Sequence, residues 1–248
     1  MKQELTLESA LALISADKRA VVQPFLQEVF NFYGPVDMEP GTGYLSEFTR
    51  GLASYTPPIA QPRIRIVAGH DEEEALIHEL LHLYMPLRHG GYAFYFPDLN
   101  PVLGELSDLV QNVVEHDLML DLFLSFGYSR EKFQRVTPDA DYRRERKQGP
   151  AYWLYTYLRH VMLLRHLPEA EHARLRTSMT SMRKVALSRF PNLGSGFQRV
   201  RGWVEARDYH NMATYPRVLA QLFAIINHGT PTRYMRPESN RLLSIHNL

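Results

Sequence analysis

The stretch that most limits how this chain can fold is residues 71–91, DEEEALIHELLHLYMPLRHGG. Asp71 predicts a helix cap, with Glu74 three residues later to complete a capping box. Three successive glutamates then favour the positive end of the helix dipole. Beyond them, apolar residues cover nearly every side of the predicted helix, and this pattern is typical of a buried helix. They are Ala75, Leu76, Ile77, Leu80, Leu81, Leu83 and Tyr84. Pro86 and the Gly90–Gly91 pair predict its end.

The same helix carries His78, Glu79 and His82. Four residues make about one helical turn, so both imidazoles project from one face and can bind one metal ion. Glu79 lies about 100° further round, within reach of a metal-bound water as a general base. Burying two imidazoles and a carboxylate is costly unless they are satisfied, and a metal with its water satisfies all three. The alternative is a pair of core histidines, or the remains of a former site.

A third ligand has to come from elsewhere, and no cysteine is available to supply it. Asn100, Pro101 and Gly127 predict the ends of a long helix. Within it, Asn112, Glu115 and His116 share a face. We prefer Glu115 over His116 as the third ligand, with Asn112 orienting a ligand from behind. His89, which follows His82 by seven residues, is a weaker alternative.

The strand, the loop and the buried His-Glu-Leu-Leu-His helix together resemble the zincin superfamily of zinc metallopeptidases. The downstream Asn-x-x-Glu-His helix resembles that of the gluzincin branch. The resemblance implies one Zn²⁺ ion held by His78, His82 and Glu115 or His116, with Glu79 as the base. It also implies hydrolysis of peptide bonds in a peptide or protein substrate.

The rest of the chain predicts a mainly α fold with a small β element (α+β), in which a zincin-like core is followed by a C-terminal helical bundle. Strands are expected at 63–67 and 92–96, a loop at 34–48, and helices at 150–167, 168–189 and 213–228. A break is also expected at Pro24 in the first helical stretch. The expected organisation is a metal-binding region at 1–128, a polar connection at 129–149 and a helical region at 150–248, although one single domain is also compatible.

The composition narrows the function further. With 28 basic and 27 acidic residues, the net charge of +1 gives no reason to expect a nucleic acid or an anionic membrane as partner. Neither a signal peptide nor an apolar run long enough to span a membrane is evident, which favours a cytoplasmic protein, with signal-less secretion left open. The competing functional class is a non-catalytic helical interaction protein whose metal site is structural or vestigial.

Overall fold

The computed structural model describes residues 3–40, 51–54, 62–66, 72–89, 93–95, 101–133, 142, 148–227, 229, 231–239 and 242–248. These residues are mainly helical with two small sheets, which confirms the predicted fold class. Two compact units can be distinguished by their internal contacts, and neither is one continuous segment. The first contains Met1–Tyr92, Met119–Val136 and Met235–Ile245, and the second contains Ala93–Leu118, Thr137–Tyr234 and His246–Leu248.

Helices account for most of the described chain. They are α1 (Leu7–Ala12), α2 (Ala16–Tyr33), α3 (Glu72–His89), α4 (Pro101–Ser125), α5 (Arg130–Phe133), α6 (Pro150–His166), α7 (Glu169–Arg189), α8 (Leu193–Ala206) and α9 (Tyr215–Asn227). A single 3-10 turn, Asp208–His210, precedes α9. None of the described helices is both long and apolar enough to cross a membrane.

The strands form two sheets. They are β1 (Gln3–Leu5), β2 (Val36–Pro40), β3 (Gly51–Ser54), β4 (Arg63–Ile66), β5 (Ala93–Tyr95), β6 (Arg233–Ser239) and β7 (Leu242–Asn247). The first sheet has the order β1-β2-β4-β3, with β2 and β4 parallel and the outer pairs antiparallel. The second has the order β5-β6-β7.

In the first unit, α2 holds α3 at Leu83 and Tyr84. The ring of Phe25 packs edge-on against Tyr84 at 5.1 Å. Tyr33 donates a hydrogen bond to the carbonyl of Leu83 at 3.0 Å, and Tyr84 donates one to Glu28 at 3.2 Å. These bonds satisfy polar groups beside a helix whose apolar residues are buried, so the position of α3 is fixed by both packing and hydrogen bonding.

The start of α3 is fixed separately, through Glu73 in its first turn. One carboxylate oxygen of Glu73 accepts hydrogen bonds from Ser15 at 2.9 Å and from Tyr128 at 2.8 Å. These donors lie just before α2 and just after α4. The acidic first turn that the sequence assigned to the helix dipole therefore also links three parts of the first unit.

The second unit is built on α6, α8 and α9, which contact one another. Tyr157 of α6 packs against Phe197 of α8 with ring centroids 4.8 Å apart. Trp203 stacks on Tyr209 at 4.7 Å and donates a hydrogen bond to the carbonyl of Val218 on α9 at 2.9 Å. Aromatic contacts of this kind explain why the C-terminal helices form one packed core.

Several sequence predictions are confirmed. The helices predicted at 150–167, 168–189 and 213–228 correspond to α6, α7 and α9, and the strands predicted at 63–67 and 92–96 correspond to β4 and β5. Helix α4 begins at Pro101 and ends two residues before Gly127, whose φ of 86° is the left-handed conformation of a helix terminator. Residues 67–71, 90–92 and 96–100, including the predicted caps Asp71 and Asn100, lie outside the described residues.

Other predictions were wrong for identifiable reasons. The break expected at Pro24 does not occur, since Pro24 and Ala20 are exposed and water can solvate the carbonyl that the proline leaves unpaired. The Pro- and Gly-rich loop predicted at 34–48 contains β2, which is hydrogen-bonded on both sides and ends at Pro40. Helix α8 was missed because three glycines interrupt its apolar pattern, and the C-terminal strands were missed within a region predicted to be helical.

Hydrogen-bonding groups of Thr156, His160, Tyr142 and Ser178 lie next to one another in the second unit. His160 lies with its Nδ1 2.6 Å from the carbonyl oxygen of Thr156 and its Nε2 2.6 Å from the hydroxyl of Tyr142. Nδ1 therefore carries the proton, and Nε2 accepts from Tyr142, whose own oxygen lies 3.0 Å from the hydroxyl of Ser178. Burial lowers the pKa of His160, the Thr156 carbonyl opposes this, and nearby Arg159 lowers it further.

This arrangement predicts a pH dependence of stability. Because the folded pKa of His160 is below its usual 6.5, the unfolded chain binds the proton more readily. The contribution is present above about pH 6.5 and is lost as the pH falls through the folded value, with a slope of at most about 1.4 kcal/mol per pH unit. Urea unfolding of wild type and His160→Gln between pH 7.5 and 5 measures it. The gap in unfolding free energy between the two proteins should narrow at low pH, and a constant gap would contradict this role for His160.

Candidate metal centre

Three histidines from two helices come together. His78, His82 and His116 each offer a ring nitrogen, and these atoms all lie within 4.8 Å of one another. All three side chains are partly exposed. Among the described residues, this is the one group of three or more histidine, aspartate or glutamate side chains that can hold a metal ion.

The first two of these histidines belong to one turn of α3, as the sequence predicted. Their ring centroids are 5.1 Å apart. The ring of His78 lies 5.0 Å from that of Phe133 and 6.5 Å from that of Phe123. These two aromatic rings exclude water from one side of His78. Burial and the neighbouring His82 keep the pKa of His78 well below its usual value. The imidazole is therefore neutral, which is the state that binds a metal.

His116 is brought to the pair by the geometry of α4. It precedes Phe123 by seven residues, which is close to two helical turns, so both side chains project from the same side of α4. Since Phe123 contacts His78, that side of α4 is directed toward the histidines of α3. The helix is continuous between the two positions, so the placement of His116 follows from the packing of Phe123.

The side chain brought to the pair is His116, while Glu115 is not in the group. Glu115 is buried and accepts a hydrogen bond from Gln111 at 2.8 Å, one turn earlier. It also lies close enough to Tyr215 to raise the pKa of that phenol, which burial already holds far above its usual value. Our preference for Glu115 as third ligand stays a prediction, and the side-chain grouping favours His116 instead.

The other predicted site residues lie as follows. Glu79 is buried, with 5% of its surface exposed, on the helix turn that carries the two histidines. Asn112 is exposed, and the amide that contacts Glu115 is instead that of Gln111. The sequence analysis did not identify Gln111, although a glutamine four residues before a glutamate is a spacing at which the two side chains meet on a helix. The side chain of His89 lies outside the described residues.

A buried carboxylate next to His116, together with Phe123, restrains which way α4 faces. Asp117 accepts hydrogen bonds from Tyr209 at 2.7 Å and pairs with Arg165 and His166, both at 2.9 Å. His210 lies 3.1 Å from the same carboxylate. Although burial opposes it, these donors hold the pKa of Asp117 at about 2, so the group is ionised. The Arg165 guanidinium within this network repels a cation, and we interpret Asp117 as a structural anchor rather than a metal ligand.

The three-histidine group fits a transition-metal ion. In a tetrahedral site with nitrogen ligands at about 2.0–2.1 Å, the ligating atoms are about 3.4 Å apart. Nitrogens already within 4.8 Å of one another approach that spacing, and partly exposed rings can rotate the remaining distance. Imidazole is a ligand that zinc, copper, iron and nickel accept. Three protein ligands leave a coordination position open for water.

Replacing Asp117 tests the anchor. Asp117→Ala leaves Arg165 without its buried partner, and we expect the free energy of unfolding to fall by about 3–5 kcal/mol. Asp108→Ala is the control, since this exposed aspartate lies on the same helix. Urea unfolding at pH 7 measures both. A loss below about 1 kcal/mol for Asp117→Ala would contradict the anchoring role.

Metal titration distinguishes the two candidate third ligands. Calorimetry with a divalent transition-metal ion should give one site in the wild type. His116→Ala removes a proposed ligand of the metal. It should weaken metal binding by more than about 10–100-fold, which is the loss expected when only a hydrogen-bonding partner of a ligand is removed. Glu115→Gln keeps the shape of the side chain and should remain within about tenfold of wild type. The opposite order would identify Glu115 as the ligand.

Comparison of this chain with protein-family models, with curated proteins and with solved structures found no match in any of the three. The case for a metal centre therefore depends on the local geometry of α3 and α4.

Proposed function

We propose that this chain is a zinc-dependent hydrolase that cleaves peptide bonds. His78, His82 and His116 would hold one Zn²⁺ ion, and Glu79 would serve as general base. The observation that carries the proposal is that nitrogens of three histidines lie close together. A buried glutamate lies on the α3 turn that carries two of these histidines. These residue types in this arrangement are what metal-assisted hydrolysis requires.

Zinc is the metal that the site favours. The ligands are imidazoles without thiolates, and three of them leave one tetrahedral position open. When bound in such a site, zinc lowers the pKa of a coordinated water to about 7 and polarises the carbonyl of a substrate. The neutral state of His78 supports binding at physiological pH, because no proton has to leave that ring first.

Glu79 is the residue that would move protons. It follows His78 directly, about 100° round the helix, and its neighbours Leu80 and Leu81 are fully buried. A carboxylate in these surroundings is screened little by water, so it interacts strongly with a charge developing beside it. In the proposed role it accepts a proton from the attacking water and passes it to the leaving amine.

The arrangement of α4 supports this use of the site. Because Asp117 anchors the helix through Tyr209, Arg165 and His166, His116 next to it is held in a defined direction. A ligand that is positioned in advance loses little conformational entropy when the metal binds. Glu115 and its Gln111 partner would then orient groups next to the ion without binding it.

Replacing the proposed base separates catalysis from metal binding. Glu79→Gln should keep one equivalent of zinc and lower kcat/KM on a cleavable peptide by about 10²–10⁴-fold, the usual contribution of general acid–base catalysis. Glu72→Gln, the same substitution at an exposed position of α3, is the control and should leave both properties unchanged. Cleavage is measured by mass spectrometry after incubating the zinc-loaded protein with a mixed peptide library.

Two results would contradict the proposal. Zinc binding without cleavage of any peptide in the library would favour the competing class, in which the metal only stabilises an interaction protein. Peptide cleavage that survives in Glu79→Gln would show that the activity does not use this site.

A further inference from the structure

The net charge of +1 is the sum of basic and acidic residues that are unevenly distributed along the chain. Residues 150–233 contain twelve arginines and lysines but only four aspartates and glutamates, and the rest of the chain contains sixteen against twenty-three. The excess positive charge is thus concentrated in the segment that forms α6 to α9. A protein-wide charge near zero therefore does not exclude an anionic partner, because association responds to the local potential of a surface.

Much of this positive charge lies on α7 and the adjoining side of α8. Arg176, Thr180 and Arg183 are exposed at a spacing that places them on one face of α7, with exposed Lys184 next to them. The guanidinium of Arg183 lies 5.9 Å from the ring of Tyr157 and 5.7 Å from that of Phe197. These contacts hold the Arg183 side chain across the junction of the two helices.

Arg201 of α8 extends the same surface. The hydrogen bond that Arg201 donates to Glu205 raises the pKa of Arg201, and the phenol of Tyr157 lies near enough to raise it further. Arg183 and Arg201 therefore flank one tyrosine. Arg201 is paired with Glu205 at 2.7 Å, whereas Arg176, Arg183 and Lys184 form no ion pair within the described part of the chain. Their charge is available to an external anion.

We propose that this basic face, formed by Arg176, Arg183 and Lys184 of α7 with Arg201 of α8, binds the phosphate backbone of nucleic acid without regard to base sequence. Phosphates are recognised well by arginine, whose planar group donates two parallel hydrogen bonds. A helix of 21 residues is about 31 Å long, close to the about 34 Å of one turn of duplex DNA. The proposal does not depend on the hydrolase assignment.

The lack of apolar surface on these helices argues against a protein partner or a membrane. The large hydrophobic side chains exposed in the described residues are Leu13, Val21, Tyr95, Leu109, Met212 and Ile245, and none of them belongs to α7 or α8. Protein interfaces bury an apolar, aromatic-rich centre, and helices that bind membranes insert apolar side chains. A surface whose charged groups are mainly cationic, and which exposes no large apolar side chain, suits a polyanion of regular charge spacing.

Fluorescence anisotropy tests the proposal. The full chain is titrated against a labelled 20-base-pair duplex and a single strand of the same length, in each case with two unrelated sequences. We expect micromolar affinity at about 50 mM salt, little difference between sequences, and steep weakening as salt rises. The double variant Arg176→Gln/Lys184→Gln should bind about tenfold or more weakly, and its slope of log K against log salt should be smaller by about 2.

The matched control is Arg217→Gln/Arg233→Gln, which removes two exposed charges from α9 and β6 and should bind within about twofold of wild type. The single variant Arg176→Glu repeats the test, and circular dichroism verifies that every variant is folded. Absence of binding at about 100 μM protein, or equal weakening in the control, would overturn the proposal. So would tighter binding to anionic phospholipid vesicles, or displacement of the duplex by polyglutamate at equal charge.

Discussion

Burial of a polar turn inside an apolar helix is the constraint on which this structure depends. Helix α3 places Glu79 in a nearly water-free position between fully buried leucines, with His78 and His82 beside it. Such groups destabilise a fold unless bonded partners compensate them. The rest of the first unit supports this turn, because α2, Ser15 and Tyr128 all hydrogen-bond to α3 away from the histidines. The position of this helix turn is therefore supported by hydrogen bonds elsewhere on α3, in addition to the ring contacts of His78 itself.

Helix α4 completes the site through its rotation about its own axis. Residues 115, 116 and 117 point about 100° apart, so fixing any two of them fixes the third. Asp117 is fixed by Arg165, His166 and Tyr209, and Glu115 is buried with a hydrogen bond from Gln111. His116 is the residue left to face α3. An ionised, buried aspartate thus determines which neighbour becomes available to a metal, although it takes no part in binding one.

This dependence explains what the sequence could and could not predict. The ends of α4, and the shared face of His78 and His82, follow from local signals such as proline, glycine and helical periodicity. The stop predicted for α3 at Pro86 was wrong, because the helix continues through that proline to His89. The choice between Glu115 and His116 does not, because both residue types are plausible ligands and the rotation of α4 is set by residues up to 93 positions away. Likewise, β2 was obscured by the prolines and glycines at its two ends, since its strand conformation is stabilised by pairing with β1 and β4. The net charge averages an acidic and a basic part of one chain, so the expectation of no nucleic-acid partner, which rests on it, stays a prediction.

The central claim is that three imidazoles hold one zinc ion and leave a position open for water. An anomalous-difference map at the zinc absorption edge, from crystals of the zinc-loaded chain, tests it most directly. We expect one peak bonded to nitrogens of His78, His82 and His116 at about 2.0–2.1 Å, with a solvent oxygen as the fourth ligand. A peak bonded to Glu115 in place of His116, a fourth ligand from the protein, or no peak at these histidines would contradict it.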